Sequence, residues 1–314
     1  MSGVVQQAVA GIREQVDGRG LVGVSQMLEL VTIAYMVGGH VLLEGPPGTG
    51  KTRTARLLAK ILAKSFNRVQ FTSDLLPADI IGANIFFQNK GVFEFVEGPL
   101  FADFVLADEI NRAPPRTQSA LLEAMEERQA TVEGKRYPLS PDFFVLATQN
   151  PQDLEGTFPL PEAQMDRFMF QILLRPGSPE VEREILTRHL DGSLAAVEDD
   201  VQSVPFDREA ALAELRSVTV DPSLVEFVAQ VLGALRSHPM LSMGASVRGG
   251  IAVLTTARAV ALCDGRDFVT PDDIKKVAVP ALQHRLRLSA EAMIARADTA
   301  SIIEDVLHTQ GVRS

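Results

Sequence analysis

A single cysteine, Cys263, in 314 residues leaves no partner for an intrachain disulfide and no thiol set for a zinc cluster. It lies beside the apolar window Ala259-Val260-Ala261-Leu262, where a buried thiol behaves as a small hydrophobe, so a core position is expected. The five histidines, at 40, 189, 238, 284 and 308, show no metal-ligand spacing. Positive charge is also scarce: 30 Lys and Arg against 40 Asp and Glu give a net charge of −10. Non-specific nucleic-acid binding rests on cations that neutralise phosphates, so this balance argues against nucleic acid as a partner, although a local basic channel is compatible with it. Long apolar runs are missing as well. The longest uncharged stretch, Leu30 to Leu43, is too short to span a bilayer and is broken by Gly38-Gly39, so no membrane partner is expected. Near the N-terminus Val4, Val5, Ala8, Val9 and Ile12 are spaced like a helix face with no basic lead, unlike a secretory signal, and a cytoplasmic location is expected. No internal repeat or low-complexity tract stands out.

What the chain does contain is a complete G-x-x-x-x-G-K-[ST] pattern, Gly45-Pro46-Pro47-Gly48-Thr49-Gly50-Lys51-Thr52. Its glycines let backbone N–H groups approach phosphate oxygens, Lys51 can reach the terminal phosphates, and the Thr52 hydroxyl can ligate Mg²⁺. Val41 to Glu44 upstream reads as a buried strand. Thr52 to Lys60 reads as an amphipathic helix whose positive dipole end faces the loop. The stretch from Gly45 through Arg53 is therefore the expected nucleotide-binding segment.

The length favours two domains, and 46% hydrophobic with 22% charged residues suits globular cores. The N-terminal part reads as a short helix, a second helix from Leu21 to Val37, and then strands alternating with helices. Ile85 to Val96 predicts a β-hairpin around Gly91 with apolar residues on both faces, either packed as core or projecting toward a partner. Phe104 to Ala107 is a continuous apolar run ending at Asp108-Glu109, as expected of a central parallel strand that delivers carboxylates at its C-terminal edge. Behind a complete phosphate loop, Asp108 is expected to hold the Mg²⁺ shell and Glu109 to act as general base on water. Pro114-Pro115 opens a further helix to Arg128, a second hairpin follows around 132 to 137, and Phe143 to Thr148 is another buried strand. By themselves, Asn150 at that strand's end reads equally as a turn cap, and Arg167 as a surface ion pair with Asp166. After Arg175-Pro176-Gly177-Ser178-Pro179 every element reads as helical, with capping residues before prolines at Ser178, Asp221 and Thr270. These readings give an α/β nucleotide-binding domain over residues 1–175, N-terminal helices included, and an all-helical domain over 176–314.

Taken with the phosphate loop, Leu106 to Gln118, Ala147-Thr148-Gln149-Asn150-Pro151 and Gly244-Ala245-Ser246-Val247-Arg248 make the chain resemble the MoxR family of AAA+ ATPases, from about Gly23 to the last helix. The resemblance implies an AAA+ P-loop core with a parallel sheet and hairpin inserts, followed by an all-α lid. It implies that Asn150 is sensor 1, Arg167 an arginine finger reaching the adjacent subunit's nucleotide, and Arg248 sensor 2. Val247 stands where the family's lid motif usually carries proline, and Arg112 and Arg116 are rival candidates for contacts in trans. The hairpins resemble the helix-2 insert and the pre-sensor-1 hairpin, which face a central channel in related rings.

The function so implied is ATP hydrolysis with Mg²⁺ in a homo-oligomeric, hexameric ring that remodels a partner protein. A von Willebrand factor A protein, or a metalloenzyme undergoing maturation, is the expected client. A nucleic-acid-linked motor, a magnesium-chelatase-like subunit and a non-hydrolysing nucleotide switch are the alternatives. Acidic composition weighs against the first and Glu109 against the last.

Overall fold

The computed structural model describes residues 3–17, 25–46, 49–62, 64–150, 156–174, 178–191, 202–204 and 206–311. Helices α1 (Val4–Asp17) and α2 (Ser25–Met36) come first; the expected start of the second, at Leu21, lies outside the described residues. It stops where Gly38 adopts φ 79°, a left-handed conformation that costs glycine little. The chain then runs through β1 (Val41–Glu44), α3 (Lys51–Ile61), β2 (Phe66–Gln70), the short α4 (Pro77–Ile81) and a hairpin of β3 (Gly82–Phe87) and β4 (Val92–Glu97). β5 (Phe104–Asp108), a 3-10 turn (Ile110–Arg112) and α5 (Pro115–Glu127) follow, then a second hairpin of β6 (Gln129–Val132) and β7 (Lys135–Pro138), β8 (Phe144–Gln149), α6 (Glu162–Met165) and β9 (Phe170–Leu173).

Five of these strands form one parallel sheet in the order β2-β5-β8-β1-β9. In the inner strands β5, β8 and β1 the apolar runs are continuous because both faces are covered, and strand periodicity divides them between two cores. Leu42, Val105, Ala107, Val145 and Ala147 pack on one side, and Val41, Leu43, Phe104, Leu106, Phe144 and Leu146 on the other. Each such leucine or phenylalanine contributes about 1.5–3 kcal/mol by leaving water, which makes the sheet the rigid support for whatever its edges carry. Strand order, not sequence order, brings the carboxyl ends of β5, β8 and β1 side by side.

The first hairpin projects. Phe93 is 71% exposed and Ile85 and Phe86 are 48% exposed each, so its apolar residues do not serve the core. It leans on the second hairpin through a stack of Phe95 on Tyr137, with ring centroids 3.8 Å apart, and a 2.6 Å hydrogen bond from the Asn84 amide to Glu133.

The sheet ends at Leu173 and helices resume with α7 (Pro179–Leu190). The expected boundary at 175 falls between them, on residues outside the described set. α8 (Arg208–Ser217), α9 (Pro222–Arg236), α10 (Val247–Cys263), α11 (Pro271–Leu282), α12 (Ala290–Ile294) and α13 (Thr299–Gln310) complete a helical lid. Ser178 and Asp221 accept hydrogen bonds from Val181 and Ser223 N–H, and Thr270 forms a capping box with Asp273. The sequence did not reveal a small antiparallel ribbon in this lid, β10 (Leu241–Met243) against β11 (Arg287–Leu288). Strands of three and two residues carry no legible alternation. Cys263 is buried in the core, where burial pushes its thiol up to about 12. No described helix is long and apolar enough to cross a membrane.

Candidate active site

The phosphate loop leaves the carboxyl end of β1 and enters α3. Two of its residues, Pro47 and Gly48, lie outside the described set. Gly50 caps the helix at φ 79°, and a side chain there would be strained although the space beside it is open. Gly45 answers a different constraint, since a Cβ at this position would meet the Leu174 carbonyl at 2.7 Å. Within the loop, Thr49 Oγ1 donates to the Pro46 carbonyl over 3.1 Å, and Lys51 Nζ donates to the Gly45 carbonyl over 2.8 Å. Burial pulls the Lys51 ammonium below its usual range, and the charges of Asp108, Glu109 and Glu44 oppose that shift. Thr52 Oγ1 lies 3.5 Å from Asp108 Oδ2, and Arg53 follows on the first turn of α3, half-buried.

Asp108 ends β5, an inner strand of the sheet between β2 and β8, and is 8% exposed. Thr148 Oγ1 donates to its Oδ1 over 2.6 Å, while Arg68 Nη2 and Nε reach Oδ2 at 2.7 and 3.2 Å. The next residue, Glu109, is held at φ 56°, ψ 49°, a left-handed conformation unusual for a non-glycine residue. Its N–H donates to Thr148 Oγ1 over 2.9 Å. Its carboxylate accepts from Gln70 Nε2 over 2.8 Å and pairs with Arg112 Nε at 2.9 Å. Arg112, itself exposed, therefore engages the carboxylate of its own chain, and Arg116 is exposed as well. Asn150 follows β8 at the same sheet edge, is buried, and accepts from Asn111 Nδ2 at its carbonyl over 3.3 Å. Glu44 ties this edge together by accepting from Gln149 Nε2 and Gln171 Nε2 at 2.6 and 2.7 Å.

Arg68, Gln70 and Thr148 escaped the sequence reading because their roles depend on strand register. Gln70 stands opposite Asp108 across β2 and β5, and Thr148 lies one strand over from both carboxylates. For Thr148 the local signal was a polar residue near the end of an otherwise apolar strand, whereas β2, Phe66-Asn67-Arg68-Val69-Gln70, is too polar throughout to single out Arg68 or Gln70.

Arg167 and Arg248 are brought together, but elsewhere. Arg167 Nη2 lies 2.9 Å from Glu126 Oε2, and Arg248 Nη2 lies 3.7 Å from Glu126 Oε1. The alternative reading of Arg167 as an ion pair with Asp166 is not what the structure shows, since Arg167 pairs with Glu126. Adjacent side chains in a turn diverge, and Asp166 instead takes Arg285 at 2.5 Å and Arg248 at 4.0 Å. The cleft that holds these groups, about 290 Å³, is lined by Gly38, Gly39 and His40, which precede β1. The phosphate loop follows β1. A four-residue strand separates the two sites by roughly 13 Å, so the arginines sit at the opposite edge from their own chain's loop.

The residues at the loop suit a magnesium nucleotide on chemical grounds: a hydroxyl and a carboxylate are the hard oxygen donors Mg²⁺ prefers, and a glycine-lined turn at a helix N-terminus suits phosphate.

Residues 40–170 match the family described as ATPase family associated with various cellular activities (AAA), and residues 233–306 match the AAA lid domain. The uncharacterized protein YeaC of Bacillus subtilis is 42% identical, with 92% of this chain and 90% of that protein aligned. Chaperone MoxR1 of Mycobacterium tuberculosis is 40% identical over 93% of this chain and 79% of its own. A crystal structure of a Cytophaga hutchinsonii protein assigned as an ATPase superposes with a TM-score of 0.87 at 40% identity, covering 97% of this chain and 96% of that one. Similarity of this extent, together with the two family matches, makes the chain a member of the MoxR family of AAA+ ATPases.

Proposed function

We propose that the protein hydrolyses ATP to ADP and phosphate at sites shared between subunits of a homo-oligomeric ring, hexameric by its resemblance to related rings, and uses the cycle to remodel a partner protein. In this reading Gly45 to Arg53 bind the nucleotide, with Lys51 on the terminal phosphates. Thr52 and Asp108 would hold Mg²⁺, which when bound neutralises phosphate charge. Glu109 Oε accepts a proton from the attacking water, while Gln70 and Arg112 fix its carboxylate and Asn150 orients the water. Arg167 and Arg248 act on the nucleotide of the adjacent subunit, stabilising charge on the transferring phosphoryl group. The observation that carries this is the split between edges: base, magnesium ligands and loop at one end of the sheet, the paired arginines at the other.

The partner reading rests on the first hairpin, whose exposed Phe86 and Phe93 offer an apolar contact to a client. A von Willebrand factor A protein is the class that the family resemblance favours, and maturation of it or of a metalloenzyme the task.

The test mixes two inactive proteins. Lys51→Ala should lose nucleotide binding and Arg167→Ala should lose turnover, about 10³-fold or more by analogy with fingers in other phosphoryl-transfer enzymes. Combined in one ring, Arg167→Ala subunits retain an intact loop and Lys51→Ala subunits retain an intact finger, so activity should return. Mixtures that stay as inactive as their components would remove the shared site.

A further inference from the structure

Three consecutive lid residues grip the segment that carries Arg167. Gln283 Nε2 donates to the Gln171 carbonyl over 2.6 Å, and His284 Nε2 lies 3.0 Å from the Phe168 carbonyl. Because that carbonyl only accepts, the His284 ring carries its proton on Nε2. Arg285, whose side chain is 4% exposed, spreads its guanidinium across the turn. Its Nε reaches Asp166 Oδ1 at 2.5 Å, and its Nη2 donates to the carbonyls of Asp166 and Phe168 at 3.0 and 2.8 Å. Those two carbonyls flank Arg167 on either side. Its Nη1 also bonds the Ala281 carbonyl, so the guanidinium is anchored in the lid as well.

The same turn is shared with the other cation. Asp166 offers Oδ1 to Arg285 and Oδ2 to Arg248, and both arginines belong to the lid. Glu126 then meets the tips of Arg167 and Arg248 from the core. A backbone turn clamped on both sides of one residue leaves that residue little freedom except at the end of its side chain. A planar guanidinium with five N–H donors in a fixed fork can hold these four oxygens at once, and an ammonium with three donors on a flexible stem cannot.

We infer that Arg285 and Asp166 form a positioning pair that fixes Arg167 and couples it to Arg248, so that the lid and the arginine offered to the neighbouring subunit move as one body. This rests on the reading of Arg167 as a cation acting in trans. Neither Arg285 nor Asp166 need touch nucleotide. Their effect passes through the placement of Arg167, where an error of about 1 Å costs on the order of 100-fold in rate.

The experiment uses the full-length chain with Asp166→Asn, Arg285→Lys and Arg167→Ala, each assayed for ATP hydrolysis alone and mixed with Lys51→Ala. Asp166→Asn and Arg285→Lys should lower kcat about 10- to 100-fold with KM for ATP within about twofold of the parent, and mixing should restore turnover as it does for Arg167→Ala. A role confined to holding the lid on the core predicts otherwise: a lowered melting temperature and a defect that stays with the mutated subunit. If Arg167→Ala is rescued by mixing while Asp166→Asn and Arg285→Lys keep parental kcat, or lose activity that mixing does not restore, the positioning role is overturned and the trans reading stands. Failure to rescue Arg167→Ala itself overturns both. Should Arg285→Lys not fold, judged by circular dichroism, the near-isosteric Asp166→Asn decides alone.

Discussion

Thr148 is the residue on which the geometry of the two carboxylates depends. Its hydroxyl donates to Asp108 and accepts from the Glu109 N–H, so one oxygen sets both the Asp108 carboxylate, the candidate magnesium ligand, and the left-handed backbone of the candidate base. A left-handed glutamate is costly, on the order of 1 kcal/mol or more, and persists because such contacts impose it. Thr148→Val preserves shape and removes the oxygen, leaving a buried acceptor and a backbone donor unmatched. We expect a stability loss of about 1–3 kcal/mol by urea unfolding, with turnover falling further than nucleotide affinity; unchanged kcat would show that Glu109 does not depend on this anchor. At this scale the sequence was half legible. Asp108, Glu109, Asn150 and Lys51 stood in contiguous motifs whose order carried their meaning. Thr148, Gln70 and Arg68 did not, because each meets its partner across strands 39 or 40 positions apart.

At the scale of elements, the two hairpins behave as a linked pair. The Phe95–Tyr137 stack and the Asn84–Glu133 hydrogen bond join them, and Arg128, in a left-handed conformation at the end of α5, begins the second hairpin directly after the helix that carries Glu126. The sequence announced both hairpins through Gly91 and Gly134, which take φ 66° and 79° in their turns. It left open where the first would pack, since apolar residues on both faces fit a core strand and a client-facing strand equally. The contact between the hairpins was illegible, because nothing in either segment marks the other as its neighbour. Tyr137→Ala should remove about 0.5–1.5 kcal/mol of stacking energy and free the first hairpin without touching the site. The expected result is faster amide exchange across residues 82–97 with basal ATP hydrolysis intact. Exchange no faster than in the parent would mean the stack does not restrain the hairpin.

For the whole molecule, two buried histidines make assembly of sheet and lid sensitive to acid. His40 sits just before β1, accepts from the Val145 N–H at Nδ1 over 3.0 Å and lies 3.2 Å from the Met125 carbonyl at Nε2, joining β8 to α5. His284 makes the corresponding tie between the lid and the Phe168 turn. Burial holds both in the neutral form, lowering each from 6.5 to about 3. Arg128 and Arg208 add to the effect at His40, as Arg285 does at His284, while the carbonyls of Met125 and Phe168 oppose it. In the unfolded chain these rings titrate near 6.5, so between that pH and about 3 the unfolded state binds more protons and stability declines as pH falls. From pH 6 to pH 5 each histidine should cost about 1 kcal/mol, close to the limit of roughly 1.4 kcal/mol per pH unit for one proton. Asp103 and Asp273, whose carboxyls are held below their usual range, weaken the fold only at lower pH and do not enter this window. Urea unfolding at pH 6 and 5 should therefore show a drop of about 2 kcal/mol for the parent and about half of that for His284→Gln. The amide can keep the hydrogen bond to Phe168 but cannot be protonated, so only the pH dependence should change. Parallel declines in the two proteins would mean that His284 is not the group whose protonation loosens the lid.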